Sequence, residues 1–425
     1  MNTSLYIAYL YNFIDSKESY IDPNNIFIFN VNQCPKIIPN YITHLIFEDN
    51  FNQVLKEGII PNSVTHLTFG RHFNQQLKKG IIPNSVTHLT FGLDFNQRLK
   101  KGVIPNSITH LIFGNNFYQE LKEDFIPNSV THLSINRIKE LQKGIIPNSV
   151  THLIFDKMFN QILKEGDIPN SVTHLTLGKI FNQPLKKKDI PDSVTHLTFG
   201  HDFNQTLKEG DIPNSVTHLI FGDKFNQILK EGDVPNSVTH LIFGHNFNQV
   251  LKKGIIPNSV THLIFGSCFN QILKEEDIPN SITHLTFGFY FNQKLKEGSI
   301  PKYVTNLIFG YNFDQIIDYY ISNNLIELIL YKDYTISKLK LNKDILIGYY
   351  SGCFHYEITY NKYNIKMTYD EKEIFDTYIS NIDINQLKGR LIMKELVEKV
   401  FNPVRISQLC NKYNIGFMDL IDIYS

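Results

Sequence analysis

Residues 61–82 read PNSVTHLTFGRHFNQQLKKGII, and the same pattern begins again at Pro83. A Thr-His pair marks the phase of each copy. Its histidines are His44, His66, His88, His110, His132, His152, His174, His196, His218, His240, His262 and His284, with Asn306 at the thirteenth equivalent position. The step is 22 residues throughout, except for 20 residues between His132 and His152. Such repetition predicts a solenoid in which each copy forms one coil that leans on its neighbours.

The apolar residues within one copy predict its strand. Val64, Leu67 and Phe69 follow the L-x-x-L-x-L spacing that is typical of leucine-rich repeats. Side chains alternate along a strand, so we expect Leu67 and Phe69 to point inward, with His66 and Thr68 outward. The predicted fold class is a β-rich, leucine-rich-repeat-like solenoid of about thirteen 22-residue coils with parallel strands.

Turn residues bound the predicted strand on both sides. Pro61 fixes φ in the turn before the strand, and Gly70 is expected to allow a tight bend at the strand exit. The 20-residue coil lacks the Phe-Asn pair but keeps apolar residues at core spacing from Leu133 to Leu141. We therefore expect a local dent at this coil and no domain break.

The two ends of the chain depart from the repeat. Ile26 to Phe29 resembles a degenerate first strand, and Leu325, Leu328 and Leu330 repeat the three-position spacing once more. Further on, alternating residues flank Asn361-Lys362 and predict a hairpin, and Asp370 with Glu373 predicts the start of a helix. The expected regions are an N-terminal cap (1–38), the solenoid (39–316), a degenerate repeat and cap (317–350) and a small α+β region ending in helices (351–425).

The composition limits the partners. Lys+Arg and Asp+Glu are both 41, so neither nucleic-acid nor membrane binding through a basic surface is expected. The first 15 residues hold no Lys or Arg, no run of 18 apolar residues exists, and four scattered cysteines show no metal-ligand spacing. These features predict a cytoplasmic protein with reduced thiols. The motifs of common nucleotide-binding, hydrolase and metalloprotease sites are missing, so no catalytic residue, metal or cofactor is predicted.

The string F-N-Q-x-L-K-x-G-x-I-P-N-S-V-T-H-L resembles the FNIP repeat. Clear copies run from Phe51-Asn52 with Ile60-Pro61 to Phe291-Asn292 with Ile300-Pro301, so the resemblance covers residues 39 to about 316. The resemblance implies a leucine-rich-repeat-related fold without enzymatic activity. It also implies an origin in a social amoeba or in a giant virus of amoebae, and therefore a host-cell cytoplasm. Some viral members carry an N-terminal F-box, but no convincing F-box precedes the first coil here.

Three interpretations fit the histidine column. The first is a stacking and hydrogen-bonding ladder beside the threonines on the concave face. The second is a zinc or copper site. A flat column is poorly suited to such a site, because these ions need several ligands that converge on one point. The third is a pH sensor that loses stability or a partner below about pH 6. The asparagine column that includes Asn52 and Asn74 is expected to be buried and to satisfy backbone groups of the turns. The lysine column that includes Lys56 and Lys78 is expected to face solvent on the convex side.

Candidate partner-binding residues lie where the copies differ. After the strand leucine, Ile220, Ile242 and Ile264 predict an apolar stripe over three consecutive coils. Between the strand-exit glycine and Phe-Asn, a variable pair of residues lies on one rim, and it includes Arg71, His201, Asp223, Phe289 and Tyr290. Neutral drift at exposed sites explains this variation equally well.

The combined prediction is a non-catalytic scaffold that binds an unknown protein, which is a host protein if the chain is viral, through its concave face and rim. The alternative is a substrate-binding adaptor of a ubiquitin ligase that docks through residues 370–425.

Overall fold

A computed structural model gives the architecture of the chain. It describes residues 38–318 apart from residue 137, together with 20–21, 26–29, 321, 324–331, 334, 338–340, 345–351, 354–361 and 364–367. The helix predicted to start at Asp370, and the other helices expected in residues 351–425, lie outside the described residues. No helix within the described ranges is long and apolar enough to cross a membrane.

The described chain is built from short strands. The first eleven are β1 (Tyr20–Ile21), β2 (Ile26–Phe29), β3 (His44–Phe47), β4 (His66–Thr68), β5 (His88–Thr90), β6 (His110–Ile112), β7 (His132–Ile135), β8 (His152–Phe155), β9 (His174–Thr176), β10 (His196–Thr198) and β11 (His218–Ile220). The others are β12 (His240–Ile242), β13 (His262–Ile264), β14 (His284–Thr286), β15 (Asn306–Ile308), β16 (Ile317–Asp318), β17 (Glu327–Tyr331), β18 (Leu339–Lys340), β19 (Ile345–Ser351), β20 (Phe354–Asn361) and β21 (Asn364–Met367).

The strands form one parallel ladder in which equivalent residues pair. His196 pairs with His218 and Leu197 with Leu219, and the same register continues along the array. Within the described residues, the sheet has 19 strands. Its parallel ladder runs from β2 to β15 and on through β17 and β19, while β1, β20 and β21 pair antiparallel at the two ends. The parallel-stranded solenoid is thus confirmed, and β16 with β18 makes a small second sheet.

Each coil buries the residues that the repeat predicts. In the coil of β4, Val64, Leu67, Phe69, Phe73 and Leu77 are all at most 4% exposed. The phenylalanines stack between coils, with the ring centroids of Phe73 and Phe95 6.1 Å apart. Since apolar burial supplies most of the folding free energy, this shared core is why one coil needs its neighbours.

The tight turn predicted at the strand exit is present, because Phe73 N donates to the carbonyl of Gly70 at 3.2 Å, but a further contact explains why the residue is glycine. Gly70 does not have a positive φ; instead, a Cβ at this position would lie 1.8 Å from the carbonyl oxygen of Glu48 on the preceding coil. Close approach of two backbones therefore requires glycine here. The bend with positive φ falls later in the coil, for example at Gly80 with φ +90°.

The 20-residue coil keeps the ladder intact. Strand β7 pairs in parallel with both β6 and β8, and Leu133, Ile135, Ile138 and Leu141 are buried. The prediction of no domain break is confirmed, because core spacing survives although two residues are missing.

The predicted terminal strands are also present. In β2, Phe27 pairs with Leu45 and Phe29 with Phe47, and Leu328 of β17 pairs with Leu307. The hairpin of β20 and β21 is confirmed, but its strands pair Asn361 with Asn364, so the connection falls one residue later than predicted. The proposed domain boundaries themselves stay predictions.

Candidate functional site: the outer face of the sheet and its strand-exit rim

The histidines form a continuous stack on the outer face of the sheet. Neighbouring ring centroids are 4.0 Å apart at His44 and His66, 4.1 Å at His88 and His110, and 4.3 Å at His218 and His240. Along the column the rings are half-buried or, at His284, exposed. The side chains point away from the core, as predicted, and the first interpretation, a stacking ladder beside threonines, describes this arrangement.

Hydrogen bonds and burial determine the charge of these rings. Each of the twelve histidines lies 2.9 to 3.0 Å, through Nδ1, from the hydroxyl of the preceding threonine, as in Thr65 and His66. Burial, followed by repulsion from neighbouring imidazoles, lowers the pKa of His66 and His218 to about 4 and that of His88 to about 3. These three imidazoles are therefore uncharged at neutral pH.

Metal binding is not supported in this part of the chain. Among the described residues, no group of three or more His, Cys, Asp or Glu side chains could hold a metal ion. Stacked rings present their nitrogens side by side, whereas zinc needs ligands that converge on one point. Cys268 is a free, half-buried thiol.

The asparagine column joins successive coils through hydrogen bonds. Asn226 Oδ1 accepts from the backbone N–H of Asn248 at 2.9 Å and from Gln249 Nε2 at 2.9 Å. The predicted backbone role is confirmed, but the prediction of burial was wrong: Asn52 is exposed and Asn74 is half-buried. The asparagines lie at the coil surface because the glutamine side chain of the next coil must reach their Oδ1 atoms. Lys56 and Lys78 are exposed, as expected.

The isoleucine stripe lies in register on three neighbouring strands. Ile220 pairs with Ile242, and Ile242 with Ile264. Ile220 and Ile242 are half-buried, whereas Ile264 is 38% exposed. The stripe therefore becomes most accessible toward the C-terminal coils.

An aromatic cluster lies on the rim of the next two coils. The ring of Phe289 stacks on that of Tyr311 with centroids 4.9 Å apart and planes 3° apart, and it meets Tyr290 edge-on at 4.9 Å. All three rings are more than 40% exposed. Because the three rings pack against one another, they make one joined aromatic surface.

The remaining rim candidates do not form one site with this cluster. His201 Nδ1 lies 2.6 Å from Asp202, and its Nε2 lies 3.7 Å from Asp223. Lys224 Nζ is 2.9 Å from Asp202, so the rim beside β10 and β11 is a small charged cluster. Arg71 is exposed near the other end of the array, beside β4.

Sequence reasoning missed two groups of exposed residues. Tyr311 belongs to the same variable pair as Phe289-Tyr290, one coil later, and the same signal identifies it. Ile228, Val250 and Ile272 follow the Asn-Gln pair on three consecutive coils and are 69%, 56% and 57% exposed. Variation at this position among the copies was the signal for the second group.

The fold and the ladder define a leucine-rich-repeat-like solenoid. The FNIP repeat model matches the chain eight times, at residues 29–72, 51–94, 95–137, 139–179, 181–224, 225–268, 269–312 and 291–332. The chain belongs to the FNIP repeat family.

A solved structure agrees with the leucine-rich-repeat-like fold. The chain is similar to CroV588, from the giant virus CroV, whose crystal structure is described as a novel circular leucine-rich-repeat protein. The two are 42% identical with a TM-score of 0.65, and the match covers 73% of this chain and 48% of CroV588, about half its length.

A leucine-rich repeat protein from Eubacterium ventriosum is matched over 76% of this chain and 78% of its own. Its 12% identity and TM-score of 0.16 are too low to carry an argument. No curated protein matches the chain significantly.

Proposed function

We propose that the chain is a non-catalytic scaffold that binds a protein partner through the outer face and strand-exit rim of coils β11 to β15. The observation that carries the proposal is the placement of two apolar groups on neighbouring coils of the array, with Thr286 in register after the last isoleucine. Ile220, Ile242 and Ile264 lead along the sheet to the coils that carry the aromatic cluster of Phe289, Tyr290 and Tyr311. Exposed apolar and aromatic surfaces of this kind favour protein partners.

The charged residues beside β11, at one end of this surface, indicate which charge the partner should carry. Asp223 is 58% exposed, and its contact in the charged cluster is with His201 at 3.7 Å. A basic side chain of a partner would meet Asp223 where the isoleucine stripe begins. We therefore propose a partner segment with apolar side chains that ends in a lysine or arginine.

Paired variants provide the test. Ile220→Ser/Ile242→Ser/Ile264→Ser removes the stripe, while Ile228→Ser/Val250→Ser/Ile272→Ser changes the same three coils at the position after Asn-Gln. Both are compared with wild type in pull-downs from amoebal extract with quantitative mass spectrometry. We expect one protein to be recovered with wild type and with the second variant but lost with the first.

The recovered protein is then purified, and its Kd is measured. The stripe variant should weaken binding by at least about tenfold, the effect of losing buried apolar contacts. Equal binding by all three proteins, or a loss with the second variant alone, would contradict the proposal. In the ubiquitin-ligase alternative, docking falls on residues 370–425, outside the described residues, and a cullin in the eluate would favour it.

A further inference from the structure

The threonine carbonyls of the ladder are already saturated by backbone donors. The carbonyl oxygen of Thr43 accepts from Thr65 N at 2.8 Å and from His66 N at 3.0 Å. The Thr65 hydroxyl can also donate to this carbonyl, at 3.2 Å, but its contact with His66 Nδ1 is shorter, at 2.9 Å. Since a carbonyl has two lone pairs, the hydroxyl hydrogen is directed to Nδ1. The next coil repeats this arrangement.

The end of the ladder shows the direction of this bond independently. Asn306 occupies the histidine position, and its Nδ2 donates to Glu327 Oε2 at 2.6 Å. A carboxylate only accepts, so the amide oxygen of Asn306 must face Thr305, whose hydroxyl donates to it at 2.8 Å. At this position the threonine is therefore the donor.

The direction of the bond fixes the tautomer of the histidines. A neutral imidazole that accepts through Nδ1 carries its hydrogen on Nε2, the tip of the side chain. At His66, His88 and His110 the rings are 4.1 Å apart, and no described residue accepts from Nε2. The outer face therefore presents a row of N–H donors in these coils.

We propose that the row at His66, His88 and His110 binds carboxylate side chains from an extended acidic segment of a protein. Glu327 holds the next position of the same column, in register with Asn306, and accepts from its Nδ2, so within the chain a carboxylate pairs with a donor of this column. The outward strand positions beside the row hold Thr68, Thr90 and Ile112, so no carboxylate of these strands competes for the donors.

The geometry favours an acidic peptide over a nucleic acid. The two oxygens of one carboxylate can accept from two adjacent rings 4.1 Å apart. The row is uncharged, so it lacks the cations whose neutralisation of phosphates drives nucleic-acid binding. The site is also separate from the apolar surface of coils β11 to β15, and it does not depend on the function proposed for that surface.

The first test is peptide binding to the full chain. A fluorescent peptide of about ten residues, alternating Glu and Ser so that the carboxylates share one side, is compared with a Lys-Ser peptide and with an oligo-dT. We expect anisotropy to rise only with the Glu-Ser peptide. Binding of oligo-dT instead would overturn the proposal.

Two matched variants separate the donors from the stack. His66→Phe/His88→Phe/His110→Phe keeps aromatic rings but removes N–H groups, while the same three changes to Asn keep a donor, as Asn306 does. The Phe variant should bind the Glu-Ser peptide about tenfold more weakly, whereas the Asn variant should stay within about threefold of wild type. Equal binding by wild type and the Phe variant would overturn the proposal. Ile220→Ser/Ile242→Ser/Ile264→Ser should bind the peptide normally, even if the apolar surface binds no partner.

A spectroscopic measurement keeps the proposal testable if the Phe variant does not fold. Long-range proton–nitrogen correlation spectra of histidine-labelled wild type report the tautomer directly. We expect unprotonated Nδ1 and protonated Nε2 for the column. Protonated Nδ1 in most column rings would overturn the proposal, because the outward edge would then accept rather than donate.

Discussion

A Cβ added to Gly222 would lie 1.8 Å from the carbonyl oxygen of Gly200 on the preceding coil. No rotation of the side chain relieves this contact, because the obstacle is backbone. We expect Gly222→Ala to lower the free energy of unfolding by at least about 2 kcal/mol, as for other forced overpacking. Urea denaturation would measure it.

The matched control for this variant is Gly210→Asp. Gly210 has φ +87°, and Asp124 occupies the equivalent position of another coil with φ 67°. The control should cost about 1 kcal/mol, the ordinary penalty for a side chain at positive φ. A larger loss for Gly210→Asp than for Gly222→Ala would contradict the close-approach explanation.

Stability should decrease as the pH falls from 7.5 to 5.5. Burial lowers the folded-state pKa of His66, His88 and His262 to between about 3 and about 4, below the ordinary histidine value of 6.5. As the pH falls, the histidines of the unfolded chain are therefore protonated first, so acid favours the unfolded state between pH 7.5 and 5.5. We expect Tm to fall by several degrees, on the order of 5 °C. The comparison stops at pH 5.5 because burial raises the pKa of Asp167 and Asp211. At lower pH these carboxyls are protonated first in the folded state, so they oppose the loss of stability.

The control for the pH effect is His88→Asn, which removes one titrating group and keeps the hydrogen-bonding pattern seen at Asn306. Its Tm at pH 7.5 measures the loss of stacking alone. The fall in Tm between pH 7.5 and 5.5 should be smaller than in wild type. An unchanged slope would show that the column does not govern acid sensitivity.

The asparagine ladder should contribute measurably to stability. Asn226→Ala removes the acceptor for the backbone N–H of Asn248 and for Gln249. We expect a loss of about 1 kcal/mol in the free energy of unfolding, the usual contribution of a hydrogen bond at a half-buried site. Asn226→Asp keeps an acceptor oxygen and should lose less; a larger loss for Asp would argue against the ladder.

The array should tolerate removal of one whole coil. Deletion of residues 200–221 brings Gly222 into the place of Gly200 and preserves the register of β10 with the following strand. We expect a folded protein with the same circular dichroism per residue and a Tm a few degrees lower, roughly the effect of losing one set of neighbour contacts. Deleting only residues 200–210 should abolish cooperative unfolding, because core and surface positions then exchange places.

The sequence predicted most of the fold because the period fixed it. Once Leu67 and Phe69 point inward, every equivalent residue follows, including the degenerate strand Ile26–Phe29. The role of Gly70 was not predictable in the same way, since a close approach depends on how far apart the coils settle. The tautomers of the column histidines could not be predicted from the sequence for a similar reason. They depend on how many donors reach the carbonyl of Thr43, and a residue pattern does not count hydrogen bonds.

The candidate site was predicted only in part. Variation among copies located the rim pair that holds Phe289, but the stacking of Phe289 on Tyr311 arises from side-chain conformations. His201 and Asp223 come together because their coils are adjacent, whereas Arg71 stays apart.

The irregular coil between β7 and β8 marks one unique position in an otherwise nearly uniform array of coils. Copies that look alike can exchange places during folding, so a strand could join the wrong neighbour, or a neighbour from another molecule. In this coil Ile135 replaces the strand-end phenylalanine and Ile138 is buried where the Phe-Asn pair is missing, so its core differs in shape from that of a coil with two phenylalanines. We therefore expect this irregular coil to limit how far an incorrectly aligned stack can grow.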